Sequence, residues 1–151
     1  AKKHNKGIFV LVKTSNPLSG EFQDLLCGEM KLHEIIARKT HEWGKDLIGK
    51  EGYSAVGAVV GATYSQEMQT LRKIMPSAFF LVPGYGAQGA TANDIKYCFN
   101  SDGLGAIINA SRSILYAYNI SPWKEKYGVK AWKEATIEAV IKMNEEIRDM
   151  L

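Results

Sequence analysis

An α/β fold of parallel β/α units is predicted by three features of this 151-residue sequence. Four continuous apolar runs punctuate it, helix-period segments lie between them, and none of the runs alternates apolar with polar residues as half-exposed strands do. The resulting order is β-α-β-α-β-α-β-α, for which right-handed crossovers are expected.

The runs are GIFVLV (7–12), AVGAVVGA (55–62), AFFLV (78–82) and GAIINA (105–110). Their continuity predicts strands covered by helices on both faces. In MKLHEIIARKTHEWGKDLIG (30–49), Leu32, Ile35, Ile36, Trp43, Leu47 and Ile48 fall largely at three- and four-residue spacings, which predicts one apolar helix face. Gly49 and Gly52 suit its end. A shorter helix is expected after Ser65, read as its N-cap, with Pro76 beyond its end. Another is expected from about Thr91 to Phe99. In the last, VKAWKEATIEAVIKMNEEIRDML, Trp132, Ala135, Ala139, Met143 and Ile147 form a stripe. Two architectures accept this order: an open doubly wound sheet, or half of a (β/α)8 barrel, whose full form needs about 250 residues. No internal repeat or linker divides the chain, so residues 1–151 read as one domain.

A hydrophobic content of 46% with 23% charged residues is that of a globular domain with a real core. The net charge of +3 is too mild, and the lysines too dispersed, to imply a nucleic-acid partner. Cys27 and Cys98 are the two cysteines, with no C-x-x-C, so neither a disulfide scaffold nor a zinc site is signalled and a reducing cytoplasm is expected. No run approaches the roughly 20 apolar residues of a membrane span, and no secretion signal is read at the start. The sequence begins with Ala1 and enters a strand pattern within its first residues, which leads us to expect further sequence upstream.

The stretch FFLVPGYGAQGA (79–90) spells G-x-G-x-x-G at Gly84, Gly86 and Gly89. Glycines in this pattern serve wherever backbone must approach an anion closely. A dinucleotide fingerprint follows the first strand and needs a carboxylate at the tip of the next. Here the loop follows the third strand, the next one ends in Asn109, Ser111 and Arg112, and Pro83 stiffens the exit, so that reading is disfavoured. Barrel phosphate sites are often built by the loops after strands seven and eight. If these are a barrel's last four strands, the glycine loop and Arg112 face one another. Backbone N–H groups from Gly86 to Gly89, the Gln88 amide and the Arg112 guanidinium are then expected to take a phosphate monoester. The plainer alternative is a tight turn beside a surface arginine.

The first strand ends in FVLVKTSNP, whose Thr14, Ser15 and Asn16 could read the polar edge of a base or sugar; an Asn-Pro turn with a capping serine is the alternative. His33-Glu34 and His41-Glu42 do not make the H-E-x-x-H zinc motif, and they read as ordinary helix residues. No Ser-His-Asp set or nucleophile elbow is present.

FVLVKTSNP with SGEFQD, then VGATYSQEMQTLRKIMP, FLVPGYGAQGA and IINASRSILYA resemble, in order, the C-terminal half of the orotidine 5'-phosphate decarboxylase family, in its longer-chain subgroup. The resemblance implies strands five to eight of a (β/α)8 barrel. It implies an enzyme of pyrimidine synthesis that converts orotidine 5'-phosphate to uridine 5'-phosphate and CO2, a homodimer when intact, without metal or organic cofactor. By position, Ser15 with Thr14 resembles the pair that bonds the pyrimidine, and Pro83 the proline near the base. Gln88 resembles the loop glutamine that reaches the phosphate, with Gly86 in the same loop. Arg112 resembles the phosphate arginine, beside the Ser111 backbone amide. Tyr85 departs from the aliphatic residue expected there.

The family's catalytic D-x-K-x-x-D motif is absent from these residues. The chain alone is therefore expected to bind the phosphate end without performing the reaction. A missing N-terminal half or another copy of the chain should cover its open strands. The alternative reading is a non-catalytic phosphoriboside-binding α/β module.

Overall fold

Each apolar run folds as a strand, and each intervening pattern contains a helix. The computed structural model describes residues 1–86 and 88–151. In chain order the elements are β1 (Ile8–Lys13), α1 (Gly20–Gln23), β2 (Leu26–Cys27), β3 (Met30–Lys31), α2 (Leu32–Gly44), β4 (Ser54–Val60), α3 (Ser65–Ile74), β5 (Ala78–Pro83), α4 (Ala92–Ile95), β6 (Ala106–Asn109), α5 (Ser111–Leu115), α6 (Trp123–Lys126) and α7 (Trp132–Met150). Four strands form one sheet in the order β1-β4-β5-β6. All its pairings are parallel, while β2 and β3 make a separate short antiparallel pair. Sequential parallel strands joined by helices follow the order of half a (β/α)8 barrel, not that of an open sheet whose order reverses at a switch point.

Burial along the strands corrects one expectation. Val56, Ala58 and Val60 on β4 and Phe80 and Val82 on β5 are buried among helix residues such as Met68, Leu71 and Ile95. The alternate residues, apart from Gly57, are not. Leu11, Val59, Leu81 and Ile107 stand in register across the whole sheet, and at the two edges Leu11 is 56% and Ile107 49% exposed. Helices cover one face only; the other is apolar and open. Strands whose second face lines a barrel interior read as continuous apolar runs for the same reason as strands with helices on both sides.

Three helix details also differ. The face of α2 that packs against the sheet carries His33, Ala37, Thr40 and Gly44, while Trp43 and Ile48 of the predicted stripe are exposed. The reason is close approach: a Cβ on Gly44 would lie 2.5 Å from Ser54 Oγ and 3.2 Å from Val56 Cβ. Ser65 opens α3 as its first residue, with Tyr64 at the N-cap position, and its hydroxyl turns toward Asp94 instead. Trp132 is half-exposed, so the buried stripe of α7 starts at Ala135. The 91–99 segment is a short α-helix continued by a 3-10 turn at Lys96–Cys98.

At the end of the sheet away from the glycine loop, Arg72 of α3 is 8% exposed and lies 3.7 Å over the Phe80 ring. Its guanidinium donates to the carbonyls of Met75, Ala78, Cys98 and Gly105. Burial lowers its pKa to about 10, so it stays charged at neutral pH. Cys98 is buried beside it, and burial pushes its thiol up to about 12, which leaves it unreactive.

Candidate phosphate and pyrimidine site

The C-terminal ends of β1, β5 and β6 carry the predicted residues, and the loops there bring most of them together. β5 ends at Pro83, and the chain then turns through Gly84 (φ 101), Gly86 (φ 68) and Gly89 (φ 88). All three glycines hold the left-handed conformation that other residues adopt only at a cost. Beyond β6, Ser111 and Arg112 open α5. Pro83, Gly84, Tyr85 and Gln88 from one loop, and Asn109, Ala110, Ser111 and Arg112 from the other, line a single open cleft of about 150 Å³. Gln88, Ser111 and Arg112 are exposed to it.

Ser15 reaches the same place from β1. A Cβ built on Gly84 would lie 2.9 Å from Ser15 Cβ, 3.2 Å from Ser15 Oγ and 3.0 Å from Gln88 Oε1. Ser15 and Gln88 therefore both close on Gly84, and a side chain at position 84 would press against each of them. Thr14 is placed differently. Its hydroxyl donates to Asn16 Oδ1 at 2.6 Å, and the Gln23 side chain brackets it, accepting from the Thr14 N–H at 3.0 Å and donating to its Oγ1 at 3.1 Å. Thr14 is thus tied into the protein, and Ser15 is the member of the pair next to the glycine loop.

The glycine loop itself requires a correction. Gly86 N–H donates to Ala90 O and Gly89 N–H to Gly86 O, each at 2.8 Å. Neither is aimed at an anion, and Gly86 lies outside the cleft lining. The glycines act through their dihedrals, leaving Gln88, Asn109, Ser111 and Arg112 as the polar residues that line the cleft. The Ala87 amide, included in the predicted cradle, lies outside the described residues. A larger cavity of about 580 Å³ sits on the outer side of the loop, but Glu146 and Asp149 line it and would repel an anion.

Residues 1–125 match the model of the family described as Orotidine 5'-phosphate decarboxylase / HUMPS family. The chain belongs to this family. Among curated orotidine 5'-phosphate decarboxylases, that of Caldicellulosiruptor bescii is 55% identical over 117 residues, 78% of this chain and 38% of that protein. That of Rhodopirellula baltica is 42% identical over 146 residues, 94% of this chain and 47% of that protein. Among solved structures, one from Toxoplasma gondii superposes with a TM-score of 0.72 at 33% identity, over 92% of this chain and 53% of that one. The OMP decarboxylase of Leishmania donovani gives 0.63 at 30% identity, over 93% and 49%. The chain thus spans about half the length of the orotidine 5'-phosphate decarboxylases it matches.

Sequence reasoning missed a charged cluster behind the β1 end of this family member. A register shift between Leu11 and Lys13 leaves Val12 and Lys13, consecutive residues, both buried. A bulge re-aims side chains in this way. Lys13 is fully enclosed, pairs with Asp24 Oδ1 at 2.9 Å and lies 4.7 Å from the centre of the Tyr64 ring. His33 Nδ1 sits 2.8 Å from Gln23 O and 3.1 Å from Asp24 Oδ1. Both neighbours accept, so Nδ1 carries the proton. His33, read from the sequence as an ordinary helix residue, is buried and acts as a clamp on residues 23 and 24. The hydrogen bond from Lys13 is the main reason that the Asp24 carboxyl titrates below the usual carboxylate range, against a smaller opposing effect of burial. A carboxyl lowered on folding stabilises above its unfolded pKa, about 3.9, and ceases to as pH falls through its folded value. Asp24→Asn should therefore be less stable than wild type at pH 7. Urea titrations across pH should show that gap closing below about pH 4. A gap independent of pH would refute the pairing.

Proposed function

We propose that this chain is the substrate-phosphate half of an orotidine 5'-phosphate decarboxylase, which releases CO2 from orotidine 5'-phosphate to give uridine 5'-phosphate. The observation that carries the reading is the convergence of Gly84, Gln88, Ser111 and Arg112 on one cleft, with Ser15 packed against Gly84, in a member of this family. Arg112 offers a planar, permanently charged fork that suits a phosphate monoester, and Gln88 a neutral amide across from it. Pro83 lines the strand-end side of the cleft and Ser15 packs behind Gly84, where the pyrimidine would be read. Interactions remote from the bond being broken hold the substrate and contribute to transition-state stabilisation.

The lysines and aspartates that would act on the orotate carboxylate are assigned to the other barrel half. Lys13 does not substitute for them, since it is enclosed and paired to Asp24. The open sheet face supports a missing partner half. A 16.7 kDa folded monomer exposes about 7,600 Å². This chain exposes 9227 Å². The excess, about 1,600 Å² on this one chain, is about twice the roughly 800 Å² that each partner buries in a standard interface. The apolar row Leu11, Val59, Leu81 and Ile107 is the surface such a half would cover.

The test is Arg112→Ala in the intact protein. Calorimetry should show uridine 5'-phosphate binding weakened by about one to two orders of magnitude, the loss of a charged hydrogen bond of about 1.5 to 3 kcal/mol. Unchanged affinity would end the assignment. The alternative, a non-catalytic phosphoriboside-binding module, predicts the same loss but no release of CO2 from orotidine 5'-phosphate by the intact protein.

A further inference from the structure

The glycine loop has space on both of its sides, so its position depends on the few contacts that anchor it. On one side is the cleft shared with Arg112; on the other is the cavity of about 580 Å³ bounded by α4 and α7. Between Gly84 and Gly86, both in the left-handed conformation, stands one residue with a side chain, Tyr85. Its ring is 7% exposed and joins the main core, against which Met143, Ile147 and Met150 of α7 also pack. Its hydroxyl donates to Glu146 Oε2 at 2.8 Å. Lys142 lies 3.9 Å from the other Glu146 oxygen, one turn away on the same helix.

We propose that Tyr85 and Glu146 are positioning residues, a tether from the glycine loop to α7 that sets the separation between Gln88 and Arg112 and so tunes recognition of the phosphate. This inference rests on the phosphate reading above. The phenol to carboxylate bond is charge-assisted, which strengthens it over a neutral one, and its donor is buried although the Glu146 carboxylate is half-exposed. Burial, reinforced by Glu146, pushes the Tyr85 phenol well above its ordinary range, so the donor keeps its proton throughout the physiological range. Without the tether, the loop can relax toward the outer cavity, and Gln88 moves with it. Gly86 closes against Ser113, whose Oγ lies 3.2 Å from where a Cβ would stand. The loop therefore retains a support on the α5 side, and the expected effect is graded.

Affinities of the intact protein for uridine 5'-phosphate and for uridine separate this role from general loosening. Tyr85→Phe and Glu146→Ala should each weaken uridine 5'-phosphate binding about three- to tenfold and leave uridine unchanged. Glu146→Gln, which still offers an acceptor oxygen to the phenol, should bind close to wild type. Equal losses for both ligands would mean that the tether serves the fold and not the phosphate, and would overturn the inference. Wild-type affinity in Tyr85→Phe beside a large loss in Arg112→Ala would overturn it while leaving the phosphate reading intact. No loss in either variant would overturn both.

Discussion

Arg72→Met should destabilise the intact protein by about 2 to 4 kcal/mol, the cost of removing a charged donor from buried carbonyls. Four backbone carbonyls converge on this one guanidinium: Met75 at 3.1 Å, Ala78 and Gly105 at 2.8 Å each, and Cys98 through two nitrogens. They come from the end of α3, the start of β5, the turn after α4 and the loop into β6, so one side chain joins three successive β/α units. Methionine keeps much of the packing against Phe80 but supplies no donor, and the carbonyls that lose a partner stay buried. Lysine should rescue little, because an ammonium carries its donors on one atom and cannot span a fan of acceptors. Urea unfolding of wild type, Arg72→Met and Arg72→Lys checks the ranking. A loss below about 1 kcal/mol for methionine would show that water satisfies those carbonyls as well as Arg72 does.

Such groups were illegible in the sequence for a physical reason. Arg72, Lys13 and His33 are charged or polar residues read by default as solvated, and their partners lie up to 33 positions away, where no local pattern marks them. The four strands were legible because both of their faces meet apolar surroundings, helices on one side and the barrel interior on the other. The same fact hid which face lies open. The α2 stripe was misread because tight packing selects small residues such as Ala37 and Gly44, whereas a periodicity count rewards large apolar ones such as Trp43. At the candidate site, glycine spacing correctly located the turn beside Arg112. It could not tell that the Gly86 and Gly89 amides close that turn on itself. Tyr85 stood out as a departure from the family's pattern, but its partner Glu146 lies 61 residues on and gave no signal of its own.

Gly61→Ala should disturb the other end of the site, and by a different route. Gly61 follows β4, where its N–H donates to Lys13 O at 2.8 Å and draws the exits of β4 and β1 together. A Cβ there would lie 2.6 Å from Ser15 N, 2.7 Å from Ser15 Cα and 2.8 Å from Thr14 C. All three are backbone atoms, so no rotamer change relieves the clash and the β1 exit must move. Overpacking of this kind costs about 1 to 3 kcal/mol. Ser15 is displaced with it, and because Ser15 packs against Gly84, the displacement falls on the side of the cleft assigned to the pyrimidine. Misplacement of a contact group by a fraction of an ångström should weaken binding about tenfold, with uridine and uridine 5'-phosphate losing the same factor. Arg112→Ala, by contrast, should spare uridine. Comparing the two ligands in the two variants therefore tests whether one cleft reads the pyrimidine from β1 and the phosphate from β6. A Gly61→Ala protein that melts and binds uridine as wild type does would remove Ser15 from the site.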